Sequence, residues 1–404
     1  MDMEKEKILI TTTTFPRWRD DTIPMFVYDL SDKLSSKFDI VVLAPHHKNA
    51  KKRENMNNMD VRRFSYFKPE RLQKLCYDGG IIPNMKTSFL AKIQMPLLII
   101  SEFFSAYLII KNENIKMIHA HWMLPQGFVG VFLKKIFRIP LIVSVHGSDL
   151  FPLKNMVLVG MQDFVIKNSD YVTVNSHAAK NEIVKRFPHH RTKIRVIPMG
   201  IDAKMFSKKN PKKPYKYSNN KLLLFVGRLS DQKGLQYLID AMADILKHDS
   251  NAKLLVIGEG PYKEDLIERA INRGVKNNIE FLGAIQHSNL PFFYNIADIF
   301  IMPSLSNDTG TESLGLTLIE AMASRCPVIG TDVGGIPNLI KNGRNGILVA
   351  QKEPKQLASV IIALLKSPIK RKKIGDNAAL SVRNKYSWGK ISEHFIGLYN
   401  KILK

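Results

Sequence analysis

Short apolar runs alternate with longer amphipathic stretches along the whole chain. In the first half the runs are Lys7–Thr12, Ile40–Ala44, Met117–Ala120, Leu141–Val145, Tyr171–Val174 and Ile194–Ile197. In the second half they are Lys221–Val226, Ala252–Ile257, Ile279–Leu282, Ile299–Met302, Val328–Thr331 and Gly346–Val349. Runs that are apolar on both faces and separated by helix-length segments predict parallel sheets covered by helices, the doubly wound α/β class. Between the halves, residues 203–220 are polar, rich in lysine and interrupted by Pro211 and Pro214, the composition of a linker. The expected organisation is a Rossmann-like domain over 1–202, a linker over 203–220 and a second Rossmann-like domain over 221–386, with a cleft between them. Apolar spacing at Ile391, Phe395, Leu398 and Ile402 predicts a final helix within 387–404 that crosses back to the first domain.

In open α/β sheets, ligands bind outside the carboxyl ends of the strands, so the loops that follow the runs carry the chemistry. The run ending at Met302 leads into 309–323, TGTESLGLTLIEAMA. From Leu316 the apolar positions (Ile319, Ala323) have helical spacing, so Gly315 precedes a predicted helix start. A helix start offers free N–H groups and a partial positive charge to an anion. Glu312 just before it and Glu320 one turn inside are placed to hold hydroxyls on two parts of such a ligand. Two glutamates at this spacing also arise by chance, so the pair alone decides nothing.

Three preceding runs also end in glycine-bearing loops: Gly227 with Arg228 and Lys233, then Gly258-Glu259-Gly260-Pro261, then Gly283. An arginine and a lysine after a strand suit a pyrophosphate, because a guanidinium grips two oxygens and an ammonium adds a compact charge. A surface loop with scattered basic residues is the bland reading. The co-occurrence of four such loops weighs more than any one of them. In the first half, the run ending at Val145 leads into His146 and Asp149, which could face a ligand or serve the loop itself. His119 and His121 alternate as metal ligands on a strand would, yet no third ligand can be named, and packing or loop hydrogen bonds is the favoured role. His46, His47, His189 and His190 read as surface residues.

The 404 residues carry a net charge of +24. Such a balance favours polyanionic partners. Residues 41–140 hold 16 Lys+Arg against 6 Asp+Glu, including Lys51, Lys52, Arg53, Arg62 and Arg63 among aromatic residues. That pattern fits either an anionic membrane surface or a solvated basic face. No zinc-ligand spacing or RNA-binding aromatic signature is present, so nucleic acid is not an expected partner. The apolar stretch Met95–Ile110 contains Pro96 and Glu102, falls short of a spanning segment, and predicts a core-facing helix. The two cysteines, Cys76 and Cys326, fit no disulfide or metal spacing, and the start of the chain lacks the order of a signal peptide, so a cytoplasmic setting is expected. No Asp-x-Asp pair occurs, so neither a metal nor another cofactor is expected.

The ordered set GRLSDQKG, GEGP, FLG, Tyr294, Ala297-Asp298 and ESLGLTLIEAMA resembles the retaining glycosyltransferases of family 4, with the two-domain GT-B fold. The first half is similar too, through TTTTFPRWRDDTIPMFV, IHAHWMLPQG, VHGSD, Asn175-Ser176 and IPMGID. The resemblance implies sugar transfer from a nucleotide-diphosphate donor to a glycan or lipid-linked acceptor, with no metal, in cell-surface polysaccharide or glycolipid synthesis. Arg228 and Lys233 would bind the diphosphate and Glu320 the ribose. Glu312, with N–H groups around Ser313, Leu314, Gly315 and Leu316, would hold the sugar and distal phosphate, and His146 would contact the sugar from the first domain. Two departures stand out: Pro16 and Pro24 occupy a loop where many relatives carry glycines, and Ser313-Leu314 replace the phenylalanine common between Glu312 and Gly315. Another GT-B activity, an epimerase or phosphorylase, would need further acids or a cofactor lysine that no motif supplies. A non-catalytic basic scaffold would explain the charge but not the glycine loops.

Overall fold

The computed structural model describes residues 5–18, 21, 23–77, 80–207, 211–307 and 310–404. Arg19, Asp20 and Thr22 in the first-strand loop, 208–210 in the expected linker and Thr309 at the head of the glutamate stretch lie outside the described residues. The chain forms two compact units, Met1–Met199 with Ile391–Lys404, and Gly200–Lys390.

In the first unit the strands are β1 (Lys7–Thr11), β2 (Asp39–Pro45), β3 (Arg53–Met56), β4 (Met59–Phe64), β5 (Ile115–His121), β6 (Leu141–Val145), β7 (Tyr171–Val174) and β8 (Ile194–Val196). Their order is β3-β4-β2-β1-β5-β6-β7-β8, parallel except for the β3–β4 pair. Helices α1 (Phe26–Ser35), α2 (Ile81–Thr87), α3 (Phe89–Asn112), α4 (Phe128–Phe137), α5 (Met156–Asn168) and α6 (His177–Arg186) accompany them. The second unit contains β9 (Lys221–Val226), β10 (Ala252–Ile257), β11 (Ile279–Gly283), β12 (Ile299–Met302), β13 (Val328–Thr331) and β14 (Ile347–Val349). Its order is β11-β10-β9-β12-β13-β14, all parallel. Helices α7 (Leu235–His248), α8 (Lys263–Asn272), α9 (Leu290–Ile296), α10 (Leu316–Ala323), α11 (Ile336–Leu339), α12 (Pro354–Leu365) and α13 (Pro368–Lys385) belong to it, and α14 (Trp388–Leu403) ends the chain.

Every apolar run read from the sequence is a strand; inner strands bury both faces, as in the uninterrupted burial of LIVSV in β6, whereas the edge strands β8, β11 and β14 are only partly buried. The sequence reading missed the β3–β4 hairpin. Its residues are charged rather than apolar, and the turn is made by Asn57 and Asn58, both at positive φ (48° and 64°). An Asn-Asn pair at positive φ matches the twist of a two-residue hairpin, and that was the available signal.

The hairpin also changes the picture of the basic cluster. Arg53 and Arg62 both hold Asp60 (2.8 and 2.5 Å), Arg62 reaches Glu113 as well, and Lys52 pairs with Glu70 at 2.9 Å. Arg63 is buried and holds Glu54 at 2.6 Å and the Pro16 carbonyl at 2.8 Å. Four of the five basic side chains singled out above are thus bound to acids within the fold. His46, expected at the surface, is 3% exposed and its Nε2 meets the Ala50 carbonyl at 3.0 Å.

The expected linker 203–220 belongs to the second unit, where Tyr217 is buried and Lys213 bridges to Asp298 at 2.8 Å. At the far end, Trp388 packs over Gly200, where any side chain would start 2.7 Å from the indole ring. Beyond Lys390 the last helix joins the first unit: Phe395 and Tyr399 are fully buried, and the Tyr399 ring lies 5.2 Å from Phe38.

The proline-bearing loop after β1 is braced from inside. Asp21 accepts from the Arg17 backbone N–H (2.9 Å), Nε (2.8 Å) and Nη2 (2.8 Å), and both residues are buried. Breaking a buried pair strands the remaining charge, at a cost of about 3–5 kcal/mol. Asp21→Ala should therefore lower unfolding free energy by about 3 kcal/mol, read as the urea midpoint of the first unit. A change below about 0.5 kcal/mol would show that the pair does not brace the loop.

Candidate functional site

Strand order in the second unit reverses between β9 and β12, and that reversal point is where an open α/β sheet offers a crevice. The loops leaving β9, β10, β11 and β12 are bound to one another by backbone hydrogen bonds. Gly227 N–H donates to Ile257 O (3.0 Å), Leu229 N–H to Glu259 O (3.0 Å), Gly258 N–H to Gly283 O (2.8 Å) and Leu305 N–H to Gln232 O (2.7 Å). Such proximity requires glycine. A Cβ at Gly258 would lie 1.9 Å from the Gly227 carbonyl oxygen, and one at Gly234 would lie 1.9 Å from that of Pro303. Both also have positive φ, 134° and 67°.

This stacking brings Lys233 to Glu312. The ammonium donates to Glu312 Oε2 at 2.5 Å, joining the loop after β9 to the loop after β12, and Ser304 Oγ lies 3.4 Å from the same oxygen. Glu312 is buried and Lys233 partly exposed. Arg228 lies on the same loop and is exposed. Gly315, at φ 85°, precedes α10, whose first intrahelical bonds run from Leu318 and Ile319 to Gly315 O. The N–H groups of Leu316 and Thr317 therefore have no intrahelical partner and carry the positive end of the helix dipole. Ser313 and Leu314 are buried beside them.

A second glycine turn missed in the sequence sets this segment. Gly335 N–H donates to the Glu312 carbonyl at 2.8 Å, and a Cβ at Gly334 or Gly335 would meet the carbonyls of Glu312 or Ser313 at 2.0 Å. The Gly334-Gly335 pair after β13 was the visible signal.

Glu320 faces inward from the second turn of α10. Its two oxygens accept from His287 Nε2 (2.8 Å) and Tyr294 Oη (2.8 Å). Burial and the adjacent Glu320 carboxylate raise the Tyr294 phenol well above its ordinary pKa, so it stays a donor. Nothing in the sequence marked His287. A carboxylate offers about four acceptor positions, so Glu320 retains capacity for hydroxyls.

In the first unit, order reverses between β1 and β5, and a polar cluster lines that point. His119 is fully buried, with Nδ1 against Tyr399 Oη (2.5 Å) and Nε2 against Ser144 Oγ (2.7 Å), which in turn meets Thr173 Oγ1 at 2.6 Å. His121 Nδ1 meets His146 Nε2 at 3.0 Å, their rings stacked within 8°. The Phe26 and Trp122 rings close on His146 at 4.9 and 4.8 Å. Of the packing or loop hydrogen bonds expected for His119 and His121, the structure shows buried packing for both, a loop hydrogen bond for His121, and bonds to the last helix and to β6 for His119. Asp149 is 3% exposed and accepts the backbone N–H groups of Met123 (2.7 Å), His146 (3.1 Å) and Gly147 (3.1 Å). Its carboxylate thereby shapes the loop that carries His146.

Burial drives the His119 and His146 pKa down to about 3 and that of His121 well below its ordinary value. These imidazoles are neutral when folded and take protons near pH 6.5 when unfolded, so their stabilisation is complete above that pH and is lost on acidification. Burial raises Asp149 to about 6 despite its N–H donors and Glu102 of α3 to about 8, so these two carboxyls act oppositely to the three imidazoles and offset part of their effect. At pH 5, His119 alone should cost about 2 kcal/mol. The first unit should melt several degrees lower at pH 5 than at pH 7 by calorimetry, and His119→Gln, which does not titrate, should retain less of that fall. An equal fall in the parent and in His119→Gln would contradict a neutral, buried His119.

Comparison with known proteins follows the same two-unit division. Residues 23–204 match the family described as Glycosyltransferase Family 4, and residues 206–381 match Glycosyl transferases group 1. An uncharacterized glycosyltransferase of Methanocaldococcus jannaschii is 32% identical over 302 residues, covering 71% of this chain and 75% of that protein. N-acetyl-alpha-D-glucosaminyl L-malate synthase of Bacillus anthracis is 29% identical, over 73% of this chain and 77% of that protein. Among solved structures, Anabaena HepE in complex with UDP and glucose is 18% identical with a TM-score of 0.74, covering 98% of this chain and 100% of that one, a likeness of fold. With the reversal-point loops, the Lys233–Glu312 pair and these matches together, the chain belongs to glycosyltransferase family 4 and has the GT-B fold.

Proposed function

We propose that this glycosyltransferase moves a sugar from a UDP- or GDP-sugar to a hydroxyl of a glycan or lipid-linked acceptor, with retention of configuration. The observation that carries the reading is the Lys233–Glu312 pair beside the start of α10. An arriving diphosphate competes for Lys233, which with Arg228 stabilises the charge that grows on the departing nucleotide. Glu312, released, accepts hydroxyls of the transferred sugar. The N–H groups of Leu314, Gly315 and Leu316 and the α10 dipole favour the distal phosphate. Glu320, steadied by Tyr294 and His287, takes the ribose hydroxyls, with Gly227, Gly258 and Gly283 allowing close approach of the nucleotide. HepE, whose fold this chain shares, is known in complex with UDP and glucose, which supports a nucleotide-sugar donor.

In the transfer, the bond from the anomeric carbon to the phosphate oxygen breaks and a bond to the acceptor oxygen forms on the same face. The acceptor proton passes to the departing phosphate oxygen, so no enzyme nucleophile is required. His146 is assigned to the transferred sugar, and its neutral imidazole suits a hydrogen bond to a hydroxyl. Arg228 and Lys233 supply the neutralising charge, so we read the reaction as metal-independent. We place the enzyme in the cytoplasm at the inner face of the membrane, in cell-surface polysaccharide or glycolipid synthesis.

Lys233→Ala and Glu312→Ala should each lower kcat by about 100-fold or more while the protein stays folded at the assay temperature, with some loss of melting temperature because each breaks the pair, whereas Glu320→Ala should act mainly on the donor KM. Near-normal turnover in both of the first two would show that the site is misplaced. Chelation with EDTA should leave the transfer rate within about twofold, and a loss of roughly 100-fold restored by a divalent ion would overturn the metal-independent reading.

A further inference from the structure

Three neighbouring helices of the first unit expose an apolar surface for which sugar transfer has no use. Along α3, Phe89, Ile93, Leu97, Ile100, Phe104 and Leu108 recur every three or four residues and are 37–76% exposed. The opposite side, including Ala91, Gln94, Leu98, Glu102 and Ala106, is buried. The expectation of a core-facing helix therefore holds for one side only. A surface helix ordinarily turns mostly charged residues outward, whereas the exposed side of α3 is apolar between Lys92 and Lys111 near its two ends.

The apolar surface continues across α4, where Phe132 and Ile136 are 40% and 52% exposed, and onto α5, where Met156 and Val157 are 89% and 70% exposed. Aromatic rings join the helices: Phe128, Phe132 and Phe164 lie 5.1–5.9 Å apart, and Tyr107 lies 5.1 Å from Phe137. Ile100, Phe103, Phe104, Phe128 and Phe132 line a shallow groove of about 150 Å³ between α3 and α4. Single exposed leucines are ordinary, but contiguous rows of this kind mark an interaction surface.

Charge identifies the partner. The three helices contain the exposed Lys92, Lys111, Lys135 and Lys167, and Lys134, which is held by Asp170 at 2.5 Å, against the acids Glu102 and Asp163. Glu102 is 1% exposed, and burial pushes its carboxyl up to about 8, so it is neutral at pH 7. Asp163 is occupied by His190 at 2.9 Å. Lys86 and Arg138, both exposed, extend the cationic border beyond α3 and α4. The row on α3 runs about 28 Å at 1.5 Å per residue. A second copy would set lysine border against lysine border, whereas anionic headgroups above an acyl layer complement both the charge and the apolar row.

The geometry points to this α3–α4–α5 face as a docking surface for an anionic lipid bilayer, with the apolar row at the acyl boundary and the lysines among the headgroups. Although α3 has the length and composition to cross a membrane, its buried side is part of the first unit's core, so it lies in the interface plane. The inference deepens the membrane placement proposed above and relocates it from the hairpin's paired arginines to these helices.

The test is co-sedimentation of the full chain with vesicles of phosphatidylglycerol and phosphatidylethanolamine, compared with phosphatidylcholine alone. The protein should pellet with the anionic vesicles and bind the neutral ones about tenfold less. The variant Ile100→Ser/Phe104→Ser/Leu108→Ser, altered only at exposed positions, should keep its melting temperature and lose anionic-vesicle binding by about tenfold. Lys51→Gln/Arg53→Gln, in the hairpin, should bind as the parent does. No binding by the parent protein would overturn the inference, as would equal binding by the triple variant. A parent dimer that the triple variant converts to monomer, with vesicle binding unchanged, would assign the face to a second copy instead. Donor-sugar hydrolysis without vesicles should be unaffected by the triple variant, so failure to dock is read separately from failure to transfer.

Discussion

The contact between Lys233 and Glu312 ties the loop after β9 to the loop after β12 across the reversal point of the second sheet. A compact ammonium and a buried carboxylate are held together because the backbones beneath them touch. Gly234 rests on Pro303, and the Gly334-Gly335 turn rests on the carbonyls of Glu312 and Ser313. Those approaches leave no room for a Cβ, so the glycines fix where the two charges meet. The same packing sets the start of α10, and with it the inward direction of Glu320. The helix-start N–H groups, Lys233 and the two glutamates are thus each held by packed backbone rather than by an unsupported loop.

The first unit uses its own reversal point differently. Instead of opposed charges it holds neutral polar groups, a chain from Tyr399 through His119 and Ser144 to Thr173. Burial keeps the three imidazoles uncharged. Tyr399 comes from the last helix, so the end of the chain supports the strand that carries His119 and His121. The loop bearing His146 is shaped by the Asp149 carboxylate, which is engaged with backbone N–H groups.

Much of this was legible in the sequence because parallel strands are buried on both faces and stand out as apolar runs. Gly227, Gly258, Gly283 and Gly315 were legible because each follows such a run. The β3–β4 hairpin was not, since its charged residues satisfy one another across the strands and give no apolar signal. For the same reason Arg53, Arg62 and Arg63 looked like a free basic patch. His287 was invisible because its role depends on α10 bringing Glu320 to it, a contact 33 residues apart in sequence. The exposed side of α3 was equally hidden: composition shows an apolar helix but not which side the core covers.

A panel of UDP, GDP and ADP and their sugars, read as thermal stabilisation of the unmodified protein, tests the central claim most directly. Binding at the second unit's reversal point predicts that at least one nucleoside diphosphate raises the melting temperature by several degrees at saturating concentration. No shift with any member of the panel would contradict it.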